Sequence, residues 1–298
     1  MSMQGYVMQL QPMSVNDGEG IRTIIFIAGC PMRCKWCSNP ESRRAENVCG
    51  WYERRCIGCG ECARVCPQGI GIDLNAQREL CIACGKCAAV CPKGARSMLV
   101  SLRDADEIIE EVEKHAVFFR NSGGGITFSG GEATSQPELL EYMSAKLWNK
   151  GYSLDLETCG LFDFDAVKPA LERMDLIFMD LKLMDDEKHR LFTGVSNRTV
   201  LENIKRLNEV PAQVVIRIPT IEGVNADEDN IRASAAYVHA NLPKARMELL
   251  PYHKFGSMKY EALGLPVPGD EFARPSDEKL EMLRDIIRSE GVELADFR

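Results

Sequence analysis

Arg22-Thr23-Ile24-Ile25-Phe26-Ile27-Ala28 runs through Gly29 into Cys30-Pro31-Met32-Arg33-Cys34-Lys35-Trp36-Cys37, and that stretch decides how the chain is read. Its first half is apolar and β-branched, the composition of a buried strand. Its second half sets three thiols in one loop at the strand's end. Three thiolates suit three corners of an iron–sulfur cubane and leave the fourth iron open to a ligand. A zinc site would want a fourth Cys or His at closer pairing.

Downstream the chain twice writes C-x2-C-x2-C-x3-C-P, first as Cys56, Cys59, Cys62 and Cys66 with Pro67, then as Cys81, Cys84, Cys87 and Cys91 with Pro92. This resembles two-cluster ferredoxins, in which the fourth cysteine of each run ligates the other cluster. The resemblance gives one cluster Cys56, Cys59, Cys62 and Cys91, and the other Cys81, Cys84, Cys87 and Cys66. A zinc ribbon would show separated C-x2-C pairs instead. The expectation is three [4Fe-4S] clusters, one catalytic and two for wiring. Of thirteen cysteines, Cys49 and Cys159 remain. Both read as free thiols, with a ligand role for Cys49 left open by its position.

The rest of the chain bounds the answer. Its 298 residues can bury a full core. A net charge of −8 argues against a nucleic-acid protein, and no apolar run approaches the length of a membrane span. The start, Met1-Ser2-Met3-Gln4-Gly5-Tyr6, lacks the basic and apolar regions of a signal peptide. A cytoplasmic protein is expected, in a compartment where so many cysteines would not be disulfides. Residues 49–96, dense in Gly and Cys, read as a small insert organised by metal. Lys and Arg exceed Asp and Glu there by three, and the negative charge of two clusters would cancel that excess, so no basic docking patch is expected.

Outside the insert, strands alternate with helices. Strands are expected at Arg22–Ala28, Ile126–Ser129, Ser153–Thr158, Leu176–Leu181, Val214–Pro219 and Met247–Leu250. Helices are expected at Asp104–Arg120, Pro137–Asn149, Asp165–Glu172, Thr199–Asn208, Asp229–Ala240 and Ser276–Ser289. This pattern predicts an α/β fold with a parallel sheet, either doubly wound or a partial barrel. Chemistry in such folds gathers at the carboxyl ends of the strands. One polar group follows each strand: the Cys30 loop, Gly130-Gly131-Glu132, Glu157-Thr158, Asp180 with Lys182, Arg217, and His253.

The cysteine loop resembles the C-x3-C-x-aromatic-C motif of radical S-adenosylmethionine enzymes, with Trp36 as the aromatic. The resemblance narrows to the activating enzymes of glycyl radical enzymes and covers nearly the whole chain. Asp17-Gly18-Glu19-Gly20-Ile21-Arg22 is similar to their D-G-P-G-I-R, departing at Glu19. Ser122 to Glu132 is similar to their glycine-rich strand, and Asp180-Leu181-Lys182, Gly194-Val195-Ser196-Asn197 and Leu250-Pro251-Tyr252-His253 follow in the family's order.

That resemblance implies a partial (β/α)6 TIM-like barrel, with barrel segments at 1–48 and 97–298 around a ferredoxin-like insert at 49–96. Cys30, Cys34 and Cys37 would hold the catalytic cluster, with the methionine part of S-adenosylmethionine chelating its open iron. Trp36 and Ser38 would lie beside that cosubstrate. Gly130 and Gly131 would let backbone approach it, and the Glu132 carboxylate would meet its ammonium. Asp180, Leu181, Lys182 and Arg217 would hold its remaining polar groups, and His253 its ribose or adenine side. Glu157 and Thr158 stand at the family's position for a monovalent cation, with glutamate in place of aspartate. The implied activity makes a 5′-deoxyadenosyl radical that removes hydrogen from a glycine Cα of a partner protein. Flavodoxin or ferredoxin would supply the electrons, the insert would relay them or serve docking and structure, and the chain would act as a monomer. Two rivals stand beside this reading: a radical enzyme acting on a small molecule or another protein, and a ferredoxin-type electron carrier.

Overall fold

The computed structural model of the chain describes residues 2–295. Nine strands among them form one sheet: β1 (Gln4–Ser14), β2 (Arg22–Ile27), β3 (Val48–Trp51), β4 (Arg96–Asp104), β5 (Gly125–Gly130), β6 (Ser153–Thr158), β7 (Leu176–Asp180), β8 (Gln213–Thr220) and β9 (Arg246–Pro251). The spatial order is β3-β4-β1-β2-β5-β6-β7-β8-β9. From β2 to β9 all neighbours are parallel, whereas β1, β4 and β3 extend the sheet antiparallel beyond β2. The fold is therefore α/β with a mostly parallel sheet.

The helices are α1 (Glu61–Arg64), α2 (Lys86–Ala89), α3 (Ala105–Glu113), α4 (Ala116–Ser122), α5 (Pro137–Asn149), α6 (Phe164–Leu171), α7 (Asp186–Thr193), α8 (Arg198–Arg206), α9 (Glu228–Asn241), α10 (Ser257–Leu263) and α11 (Asp277–Ser289). Side chains accepting from first-turn N–H groups start α3 (Asp104), α6 (Asp163), α7 (Asp185), α9 (Asp227) and α11 (Ser276). Leu139, Leu140, Met143 and Leu147 of α5 and Leu280, Leu283 and Ile287 of α11 are buried in one core with the strands. Each such side chain contributes about 1.5–3 kcal/mol by leaving water.

All six expected parallel strands are present, each within one residue of its expected ends. Three strands were not expected, namely β1, β3 and β4. The single helix expected over Asp104–Arg120 is two, α3 and α4, parted at Lys114 and His115. Arg217 does not end its strand, because β8 continues through Pro219 to Thr220, paired with β9.

The Asp17–Arg22 motif builds the sheet. The fully buried Arg22 guanidinium donates to Thr127 Oγ1 and to the Ile126 carbonyl, both at 2.8 Å, and lies 3.1 Å from Asp155. It thereby stitches β2, β5 and β6 together. Gly20 adopts φ +69°, and a Cβ there would fall 2.5 Å from the Gly124 nitrogen, so only glycine lets the two segments touch.

Candidate active site

The cysteine loop leaves the carboxyl end of β2 and is pinned from three directions. Arg33 donates through its backbone N–H to the Thr193 carbonyl and through Nη1 to that of Cys30, and Lys35 N–H donates to Phe192. Trp36 is buried against Leu183, Ile221, Val224 and Phe272. From α10, Tyr260 Oη donates to the Cys37 carbonyl at 2.9 Å. Lys259 Nζ meets Asn39 Oδ1 at 2.6 Å and Glu41 at 2.7 Å, and Asn39 Nδ2 donates to the Gly130 carbonyl. The loop is thus fixed before any ligand arrives.

Its three thiols face a cavity of about 710 Å³. The same wall holds Trp36, Ser38, Gly130, Gly131, Glu157, Thr158, Asp180, Lys182, Arg217 and His253. Glu132 and Leu181 do not lie on that wall. Glu132 is 1% exposed. Its Oε1 accepts from Thr134 N–H, Thr134 Oγ1 and Thr158 Oγ1, and its Oε2 from Cys159 N–H. The carboxylate thereby braces the turn after β5 against the end of β6. The Leu181 side chain is buried in the core, and its N–H donates to the Arg217 carbonyl.

Both glycines stand where the chain itself comes close. A Cβ on Gly130, at φ +129°, would fall 2.1 Å from the Ile27 carbonyl oxygen, and one on Gly131 would fall 2.4 Å from Ser42 Oγ. They let the turn after β5 lie against the chain around the cysteine loop.

Glu157 and Thr158 are each hydrogen-bonded within the protein. The Glu157 carboxylate accepts from Ser129 Oγ at 2.5 Å and from Arg217 Nη1 at 2.6 Å, while the Thr158 hydroxyl donates to Glu132. Arg217 also meets Glu248 at 2.8 Å and lies over the Phe178 ring at 3.5 Å. The Arg217 guanidinium thus compensates both Glu157 and Glu248.

Lys182 is buried and ion-paired with Asp180 at 2.5 Å. Burial alone would lower its pKa, but the carboxylate of Asp180 outweighs that and raises it. Burial pushes the Cys34 thiol up to about 12 and raises Cys37. A hydrogen bond with Cys159 instead lowers Cys30. His253 is exposed and stacks on Phe255 at 4.3 Å.

The insert's thiols line two smaller hollows. One is walled by Cys56, Cys59, Cys62 and Cys91. The other holds Cys66, Cys81, Cys84 and Cys87, with Cys49 and Cys62 also on its wall. Cys49 Sγ lies 3.7 Å from Cys87 Sγ. The sequence reading missed Glu248, Lys259, Tyr260 and the contact between Cys159 and Cys30. Glu248 had a signal, being the one acid in the apolar run of β9, paired with Arg217. The α10 residues had none.

Residues 24–234 match the Radical SAM superfamily. The chain belongs to it. The trans-4-hydroxy-L-proline dehydratase activating enzyme of Clostridioides difficile is 36% identical over 96% of this chain and 97% of its own. The isethionate sulfite-lyase activating enzyme of Oleidesulfovibrio alaskensis is 39% identical over 90% of this chain and 89% of its own. These are activating enzymes of glycyl radical enzymes, and the present chain is a radical SAM oxidoreductase of that type. A radical SAM methyltransferase from Sphaerobacter thermophilus shares the fold alone, with a TM-score of 0.53 at 16% identity over 96% of this chain and 76% of that one.

Membership implies a [4Fe-4S] cluster and S-adenosylmethionine. The donors of this activating enzyme fit: three thiols of one rigid loop line a large cavity beside a buried ammonium. Cys34 and Cys37, held protonated by burial, are groups that a metal cation would ionise.

Proposed function

We propose that the chain removes one hydrogen atom from the Cα of a single glycine in a partner glycyl radical enzyme. The observation that carries this is the convergence of Cys30, Cys34, Cys37, Gly130, Asp180 and Lys182 on one open cavity at the carboxyl ends of β2, β5 and β7. Cys30, Cys34 and Cys37 would hold the cluster, which when bound would supply the electron for reductive cleavage of S-adenosylmethionine to methionine and a 5′-deoxyadenosyl radical. The protein's residues aim the cosubstrate. Lys182 suits its carboxylate, backbone at Gly130 and Gly131 its amine, and Trp36, Ser38 and His253 its nucleoside side. The fixed loop keeps the cosubstrate in place, and the wide mouth, with Phe255 83% exposed on its rim, leaves room for the partner's glycine loop.

The parallel strands β2 and β5–β9 form a partial (β/α)6 TIM-like barrel in this reading, with 1–48 and 97–298 its two segments. Residues 49–96 are a ferredoxin-like unit holding two further [4Fe-4S] clusters on the cysteine sets of the two hollows. Exposed Cys59 and Cys84 mark where electrons enter from a flavodoxin or ferredoxin. The chain works as a cytoplasmic monomer. The relatives' names point to a lyase or dehydratase as the partner.

The test is anaerobic reconstitution, reduction by dithionite and assay for 5′-deoxyadenosine, followed by mixing with glycyl radical enzymes of the lyase and dehydratase classes that the relatives' names print. A glycine-centred EPR doublet is expected. Cosubstrate cleavage with no doublet on any such partner favours a small-molecule substrate, and no cleavage leaves an electron carrier.

A further inference from the structure

The two cysteine runs superpose in register, Cys56 on Cys81 through to Cys66 on Cys91, and this register places Gly71 opposite Arg96. The symmetry of the insert breaks there. Arg96 opens β4, pairs across the sheet with Trp51 of β3, and is only 3% exposed. Its side chain lies in the wall of both hollows. Nη2 donates to the carbonyls of Gly71 at 2.8 Å and Ile72 at 2.9 Å, so the arginine reaches across to the first run at the position of its counterpart.

Among the described residues, Nε and Nη1 of Arg96 have no hydrogen-bond partner. Neither has buried Nε1 of Trp51, whose ring lies 6.0 Å from the guanidinium carbon. No carboxylate among the described residues stands within ion-pair distance of Arg96. A guanidinium removed from water without an anion is strongly unfavourable, and so are orphaned buried donors. Three such donors beside hollows lined by thiols are what anionic occupants would satisfy.

We propose that Arg96, supported by Trp51, is the shared counter-charge of the two insert clusters and sets their reduction potentials. This rests on the reading that the insert holds two clusters. Each fully thiolate-ligated cluster is an anion, and reduction adds one more negative charge. A fixed positive charge in a dry site favours the more negative state, so it raises both potentials together. The backbone N–H of Arg96 also donates to Cys91 Sγ at 3.4 Å, which acts in the same direction. Arg96 is a positioning residue for electrons and touches no substrate.

The test is an EPR-monitored potentiometric titration of the anaerobically reconstituted full chain, as wild type, Arg96→Gln, Arg96→Lys and Trp51→Phe. Arg96→Gln should lower the midpoints of both insert clusters. Arg96→Lys should hold them near the wild type, and Trp51→Phe should lower them less. The catalytic cluster, recognised by its response to S-adenosylmethionine, should be unmoved in all. Unchanged insert midpoints in Arg96→Gln at wild-type iron and sulfide content overturn the inference alone. Where Arg96→Gln loses insert iron, Trp51→Phe decides, and wild-type midpoints there overturn it. Wild-type protein holding the iron of one cubane only overturns the two-cluster reading and this inference with it.

Discussion

The backbone N–H of Cys159 donates to Glu132 Oε2 at 2.6 Å, tying the end of β6 to the turn after β5. With Thr134 and Thr158 on its other oxygen, Glu132 is a fastener beneath the cavity. Glu132→Ala should therefore cost about 2–3 kcal/mol by leaving those donors unpaired. The melting midpoint would drop by about 2–4 °C for each kcal/mol in a chain of this size. The Kd for S-adenosylmethionine in the folded protein should change by less than about threefold. A large rise in Kd at an unchanged midpoint would place the carboxylate on the ligand after all.

Lys182 presents the opposite case, because its ammonium reaches the cavity. Lys182→Met should raise the Kd for S-adenosylmethionine by about 10–100-fold, the range for a lost charged hydrogen bond in a buried site. Anaerobic equilibrium dialysis reads this directly. Equal Kd values for the variant and the wild type would remove Lys182 from the binding site.

Six strands could be read from the chain because parallel strands are covered on both faces and so become continuous apolar runs, as in Leu176-Ile177-Phe178-Met179 of β7. β1 could not, since Gln9, Gln11 and Pro12 interrupt it and one of its faces is largely exposed. The lining of the cavity was legible wherever a residue type had few chemical uses, as for Cys30, Cys34, Cys37 and the Asp180–Lys182 pair. It was illegible where side-chain direction decided. Nothing in Gly130-Gly131-Glu132 says that φ +129° at Gly130 precedes a carboxylate turned toward Thr158.

Asp155 makes stability depend on pH in a defined direction. Burial pushes its carboxyl up to about 7 even with Arg22 beside it. The folded chain thus holds this proton more tightly than the unfolded chain, where an aspartate titrates near 3.9. The contribution is greatest below about pH 4 and declines as the pH rises toward about 7, with a slope of at most about 1.4 kcal/mol per pH unit. Asp155→Asn should lower stability overall, since it strips Arg22 of its partner, yet flatten that slope. Unfolding free energies measured at several pH values across the window check it, and parallel curves for the two proteins would contradict it.

The proposed electron entry through residues 49–96 has its own readout. Replacing Cys59 and Cys84 by alanine should leave 5′-deoxyadenosine formation with dithionite within about twofold, because a small reductant reaches the catalytic cluster directly. With reduced flavodoxin the rate should fall at least about tenfold, a barrier rise of about 1.4 kcal/mol or more. Equal losses with both reductants would assign the insert a structural role instead.

The pairing of β3 with β4 has a consequence for how far a change in the cysteine-rich segment spreads. Because Trp51 and Arg96 are direct neighbours across the ladder, the chain departs for its cysteine-rich excursion and returns at almost the same point. The host sheet registers only a hairpin there. The segment from Tyr52 to Ala95 also reaches α10, where Arg78 donates to the Ala262 carbonyl and Asn75 to that of Glu261, so a change within it reaches the helix that holds the cysteine loop while the parallel strands stay in register.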